Sequence, residues 1–249
     1  MDHHDIHVAS SLGKADRLRI AFASDFHVGP TTPPDVIDQA IEALRAANAD
    51  VLLLGGDFVS LRADYARDLV CRLATVPASL GRYAVLGNHD HWADGTAVVG
   101  HLQRAGIEVL TNRNVRLPDP FANVSLCGVD DHLSGEPDAD AAFKDSGPVR
   151  IVLMHAPSGL LDLGEQPFAV ALCGHTHGGQ IALPNGRPLI VAAGLLSRRY
   201  NAGRFDVGGE RTLLVSRGIG CSTIPFRLNA PPNVLTCTIS SGLELRSVP

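Results

Sequence analysis

Apolar residues gather first in short continuous runs. Residues 19–24 (RIAFAS), 51–54 (VLLL) and 83–86 (YAVL) each read as a buried strand, and each is followed by Asp or Gly. Between them the spacing turns helical. Val36, Ile37, Ala40, Ile41 and Leu44 recur at helical intervals behind Pro33 and Pro34, with Thr31 and Thr32 suiting a helix start. Residues 65–73 and 96–105 give two more helices, the second striped by Val98, Val99 and Leu102. Alternating strand and helix predicts βαβ units and parallel pairing over the first ~110 residues.

Beyond that point strands crowd together. Residues 115–117, 124–129, 151–154, 170–173, 180–183, 212–215, 234–239 and 243–246 read as strands with few helices between them. The acidic stretch 134–146 interrupts them, with a short helix around 140–143. The pattern predicts an α/β fold: a two-sheet β-sandwich with helices covering the outside. No repeat, linker or charge block divides the chain, so residues 1–249 read as one domain. Residues 1–17 are expected to be flexible or irregular, with His3, His4 and His7 in a frayed start.

Composition refines this picture. With 45% apolar and 19% charged residues, the chain is globular rather than disordered. The 25 Gly and 16 Pro residues point to many tight loops. A net charge of −5 argues against a broad surface for nucleic acid or anionic membrane, leaving room for a local basic pocket. Lys14 and Lys144 are the only lysines, so positive charge is nearly all arginine. Five cysteines without CxxC spacing argue against a disulfide framework and predict a reducing compartment. No apolar run approaches the ~18 residues of a membrane span. The expected location is cytoplasmic, with peripheral contact to the inner membrane left open.

Polar clusters follow five of the predicted strands: Asp25 with His27, Asp57 behind two glycines, Asn88-His89-Asp90, His155, and His175 with His177. Core packing does not require apolar runs to end in Asp, Asn or His; a metal site does. Asp25/His27 and His175/His177 are i, i+2 pairs, which an extended backbone points to one face. Carboxylate, imidazole and amide donors without thiolate favour Mn, Fe, Zn or Co. Seven candidate ligands, Asp25, His27, Asp57, Asn88, His155, His175 and His177, exceed the needs of one ion and suit two.

The ordered set D-x-H, G-G-D, G-N-H-D, H and G-H-x-H resembles the calcineurin-like metallophosphoesterase family. The longer G-H-T-H-G-G-Q block and the tail around Pro225-Phe226-Arg227 resemble its bacterial YkuE/YaeI-like branch, whose relatives include UDP-2,3-diacylglucosamine hydrolases. The resemblance implies a four-layer α/β/β/α fold and two divalent metal ions, Mn, Fe or Zn, with Mn favoured. It implies Asp25, His27 and His177 on one ion, Asn88, His155 and His175 on the other, and Asp57 bridging. The implied reaction is in-line attack of a metal-bridging hydroxide on a phosphodiester or pyrophosphate. Two divalent ions, two carboxylates and a hydroxide leave a net positive site that attracts phosphate. His89 would contact the phosphate or protonate the leaving oxygen, with Asp90 fixing its tautomer.

Other residues remain candidates. Trp92, the only Trp, is a stacking wall or a packing residue. Arg198, Arg199 and Arg217 are candidate clamps for a second phosphate, against the commoner solvated role. Gln180 holds a bond behind the ligands or starts the next strand. The substrate, a small or lipid-linked phosphate ester, is expected in the loops around 134–146 and 194–204. The same metal core would also serve a phosphomonoesterase, a cyclic-nucleotide phosphodiesterase or a nuclease, and a silent metal-binding scaffold is the non-enzymatic alternative.

Overall fold

A computed structural model describes residues 1–242. Its strands are β1 (Asp2–Val8), β2 (Arg17–Ala23), β3 (Val51–Leu54), β4 (Arg82–Ala84), β5 (Glu108–Val109), β6 (Arg113–Arg116), β7 (Val124–Gly128), β8 (Val149–Leu153), β9 (Val170–Cys173), β10 (Gly203–Asp206), β11 (Thr212–Val215) and β12 (Leu235–Ser241). The helices are α1 (Pro34–Ala46), α2 (Ala66–Ala74), α3 (Asn88–Arg104), α4 (Ala139–Phe143) and α5 (Leu160–Leu163). They build two mixed six-stranded sheets, ordered β1-β12-β2-β3-β4-β5 and β10-β11-β9-β8-β7-β6.

In the first sheet β2, β3, β4 and β5 run parallel. In the second β7, β8, β9 and β11 do. Strands covered on both faces read as unbroken apolar runs, as β3 and β9 do. Their two faces feed different cores. Phe22, Leu53, Leu153 and Leu172 fill the space between the sheets. Leu52 and Leu54 face α1 through Ile37, Ile41 and Leu44, and α2 through Leu69 and Leu73. Val152 and Cys173 face α4 through Ala142 and Phe143. Three cores separate four layers, the expected α/β/β/α order.

Several boundaries differ from expectation. Residues 2–8 are not frayed: β1 pairs in parallel with β12. Its alternating His and Asp residues conceal an edge strand whose apolar anchor is Ile6. Helix α3 begins at Asn88 rather than at residue 96, with Asp94 at φ 156° interrupting it. Residues 180–183 form only isolated bridges, Ile181 to Leu228 and Ala182 to Pro188, so no ladder strand follows Gln180. Thr31 and Thr32 do not cap α1; their hydroxyls bond the backbone of Cys221. The expected strand at 243–246 lies outside the described residues.

Candidate metal centre

The loops after β2, β3, β4, β8 and β9 carry the five polar clusters. Parallel strands present their carboxyl ends at one edge, where open α/β sheets bind ligands. Here both sheets present that edge to one site. Asp25, His27 and His177 gather in one group, Asp57, His155 and His175 in a second, and His27, Asp57 and His89 in a third that overlaps both. In the first, His27 Nε2 lies 3.1 Å from His177 Nε2, and Asp25 Oδ1 3.7 Å from that nitrogen. In the second, His155 Nε2 lies 3.2 Å from His175 Nδ1 and 3.2 Å from Asn88 Oδ1. Asp57 joins the two: its Oδ2 is 3.3 Å from His27 Nε2 and 3.4 Å from His155 Nε2.

The i, i+2 pairs are not extended, contrary to expectation. Asp25, His27, His175 and His177 all have φ between 44° and 70°, as does Asp57 at 53°. Left-handed backbone at Asp and His turns each side chain inwards individually, so His175 and His177 serve different groups. Such conformations cost about 1–3 kcal/mol each and persist where the surroundings enforce them, commonly at functional sites. Glycines permit the closeness. A Cβ on Gly174 would lie 2.1 Å from Asp25 Oδ2, and one on Gly87 2.3 Å from Asp57 Oδ1.

Two observations test whether these residues fit metal ions. His155 Nδ1 is 2.7 Å from Gly55 O, and His175 Nε2 is 2.7 Å from Ala193 O. A carbonyl only accepts, so each ring places its proton there and turns its bare nitrogen to the other ring. Two lone pairs 3.2 Å apart require a cation or proton between them. Moreover, Asp25, Asp57, Asp90 and Asp131 are all buried, and among the described residues no Lys or Arg makes a salt bridge to any of them. Buried carboxylates need compensating charge. The donor set therefore fits divalent cations.

The ring and carboxyl pKa values follow from the same crowding. Burial alone would raise Asp57, but His155 and His27 outweigh it and hold it well below the ordinary carboxylate range. Burial opposes charge on His155, yet Asp57, Asp25 and Asp131 lift it well above the imidazole value. Burial and His155 lower His175; burial, His27 and Arg227 hold His177 well down. Burial and the Asp57 charge push Asp90 up to about 7.

Asp90 does not orient His89. Its carboxylate accepts the backbone N–H groups of Asp57, Phe58 and Gly87 at 2.7, 2.9 and 3.0 Å, bracing the turn that carries Asp57. At the start of α3 it reaches back to these orphan amides and so cannot also reach the imidazole. Ser60 O takes that place, 3.0 Å from His89 Nδ1. The His89 N–H donates to Asp57 Oδ1 at 2.8 Å, and its ring stands edge-on to His27.

A cleft of about 410 Å³ opens from the centre, reaching Asp57, Asn88, His89, His175 and His177. Its outer wall is Trp92, Ile181, Ile190, Ala192 and Ile224. Trp92 is 66% exposed and tilts over His89, so it is a wall of the cleft rather than core. None of Arg198, Arg199 and Arg217 lines the cleft. Arg217 is held by Asp2 at 3.0 Å and by Pro231 O, while Arg198 and Arg199 are exposed. No residue of 134–146 or 194–204 lines it either.

Sequence reasoning assigned no role to Arg227 or Asp131. Arg227, on a loop far along the chain, places Nη2 3.1 Å from His177 Nδ1. Asp131, just past β7, is fully buried with Oδ1 unpartnered. The Gln180 side chain bonds none of the candidate ligands and ties the rim of the cleft instead: its Nε2 donates to Ile224 O and Phe226 O, and its Oε1 accepts from Ser222 N.

Comparison with known proteins places this geometry. The family model described as "Calcineurin-like phosphoesterase" matches residues 18–179. Phosphodiesterase YaeI of Escherichia coli is 34% identical over 225 residues, covering 87% of this chain and 80% of that protein. The metallophosphoesterase YkuE of Bacillus subtilis is 28% identical, covering 91% of this chain and 80% of its own. The solved structure of TT1561 from Thermus thermophilus shares the fold, with TM-score 0.52 and 13% identity over 81% of this chain and 90% of that one. With a phosphate-ester hydrolase family model spanning all of the clustered Asp, Asn and His residues, the chain belongs to the calcineurin-like phosphoesterase family.

Proposed function

We propose that the chain hydrolyses a phosphodiester, or the related pyrophosphate link, using two divalent transition-metal ions. One observation carries the reading: a single Asp57 oxygen lies within 3.4 Å of a histidine from each cluster. Asp25, His27 and His177 would hold one ion and Asn88, His155 and His175 the other, with Asp57 between them. When bound, such a pair acidifies a shared water and polarises the phosphoryl oxygens. Asp90 keeps Asp57 in place through the backbone of its turn. His89, its Nδ1–H given to Ser60 O, would protonate the leaving oxygen from Nε2 as the imidazolium, which carries the second N–H that the neutral ring lacks.

The cleft favours a diester over a monoester. Its lining contains no Lys or Arg to clamp a dianion, and Trp92, Ile190 and Ile224 offer an apolar wall to a second ester group. The phosphodiesterase name of the YaeI relative supports the same choice. Initial rates on bis-p-nitrophenyl phosphate and p-nitrophenyl phosphate with Mn(II) test it. The expectation is faster diester turnover, reduced on the order of 10²-fold or more in Asp57→Ala. Preferred monoester turnover would overturn the diester assignment, and turnover of neither would favour a silent scaffold.

A further inference from the structure

The total charge of −5 hides a one-sided distribution. From Gln166 to Phe205 there is no acidic residue, while Arg187, Arg198, Arg199 and Arg204 all fall there. From Arg211 to Gly242 there is again none; Arg217 and Arg227 also fall there but are engaged, by Asp2 and against His177. These stretches supply the loops beside the cleft.

The same loops expose large apolar side chains. Leu189 is 60% exposed, Ile190 52%, Phe226 53%, Leu228 51% and Leu195 82%. Backbone bonds join most of them into one patch. Leu189 N donates to Ile181 O, and Ala182 N donates to Leu228 O, both at 2.9 Å. Leu228 N donates to Gln180 O, and the Gln180 side chain holds Ile224 and Phe226. The patch is continuous with the cleft, because Ile181, Ile190 and Ile224 line it and Trp92 stands across its mouth. Contiguous exposed apolar surface on a folded chain marks a place of contact.

We infer that the loops 181–196 and 222–228 seat on a bilayer bearing anionic headgroups, and that the cleft receives an amphiphilic phosphodiester from it. The second half rests on the phosphodiesterase reading; the first does not. Aliphatic side chains would enter the acyl boundary while Arg187, Arg198 and Arg199 meet the headgroups. An exposed Trp at the mouth of the cleft suits the interfacial zone. Charge also separates the bilayer from a second copy of the chain. An isologous dimer sets one patch against itself, and would bring like-charged arginines together with no acidic partner. The apolar outer cleft then continues the acyl environment inward to the metal centre.

Trp92 is the only tryptophan, which makes the test direct. Its fluorescence is followed with vesicles of phosphatidylglycerol and phosphatidylcholine carrying brominated acyl chains, and with brominated phosphatidylcholine alone. Sedimentation is measured in parallel. Expected are quenching and pelleting with the anionic vesicles, at least ten-fold weaker with neutral ones. The double variant L189E/L195E should lose both by ten-fold or more while hydrolysing soluble bis-p-nitrophenyl phosphate like the wild type. R187E should weaken only the anionic binding. Absence of pelleting overturns the inference, as does pelleting that ignores L189E/L195E. A concentration-dependent dimer abolished by L189E, without vesicle binding, assigns the patch to a second copy instead. Vesicle binding by a protein that hydrolyses no diester upholds the surface and overturns the amphiphilic substrate.

Discussion

Arg227 lies against the back of His177, its Nη2 3.1 Å from Nδ1, with no carboxylate partner of its own among the described residues. The same guanidinium donates to backbone carbonyls of His177, Ala230 and Gly220. One planar fork thus holds the loop after β11 onto the turn after β9 and sets the ring that faces His27. Lysine cannot reproduce this, having one point of charge and no fork. A guanidinium only donates, so Arg227 acts on the ligand turn through the His177 and Ala230 carbonyls; Arg227→Lys and Arg227→Met, which both release that fork, are expected to weaken metal affinity by about 10-fold. Calorimetric Mn(II) titration reads this. Unchanged affinity in Arg227→Lys would show that charge alone suffices.

His89 touches the centre without belonging to either three-residue ligand group proposed here. His89→Ala should retain the wild-type metal content and lose turnover by on the order of 10²-fold or more. Elemental analysis beside the steady-state rate separates the outcomes. Loss of metal together with activity would make His89 a ligand, a role its place 4.6 Å from the His27 ring makes the sharpest rival.

The buried charges set a pH dependence for the metal-free protein. Asp90, raised to about 7, favours its protonated form when folded, so it costs stability progressively as pH rises from ~4 towards 7. His155, raised well above ~6.5, contributes stability below that value and loses it as pH rises through its folded pKa. His175 and His177, both lowered, oppose folding at acid pH, where unfolded imidazoles take protons. At pH 8 Asp90, raised only to about 7, is ionised, and the centre carries more uncompensated negative charge than at pH 6. Mn(II) should raise Tm by more at pH 8 than at pH 6. Melting curves with and without Mn(II) check this; an equal or larger gain at pH 6 would contradict it.

Much of the frame was legible where packing alone decides. β3, β9 and β11 fall where the apolar runs stand, because strands buried on both faces admit little else. Edge strands were hidden: β1 carries His3, His4 and His7, and β5 is two residues long. The polar clusters were also legible as strand ends that meet. What was not legible is how they meet. Positive φ at Asp25, His27, Asp57, His175 and His177 is a property of enforced turns, which no side-chain period encodes. Arg227 reaches the centre from a distant loop, and only the folded chain brings it there. Asp90 shows the same limit, since its neighbour in sequence, His89, is not its partner in space.

In the proposed centre Asp57 joins two metal sites. Metal content of protein stripped with chelator, reloaded with Mn(II) and desalted, measured by elemental analysis beside Asp57→Ala, tests it most directly. Two ions per wild-type chain are expected, with Asp57→Ala retaining one or none. A wild-type chain that never exceeds one ion, or an Asp57→Ala chain that still holds two, would contradict it.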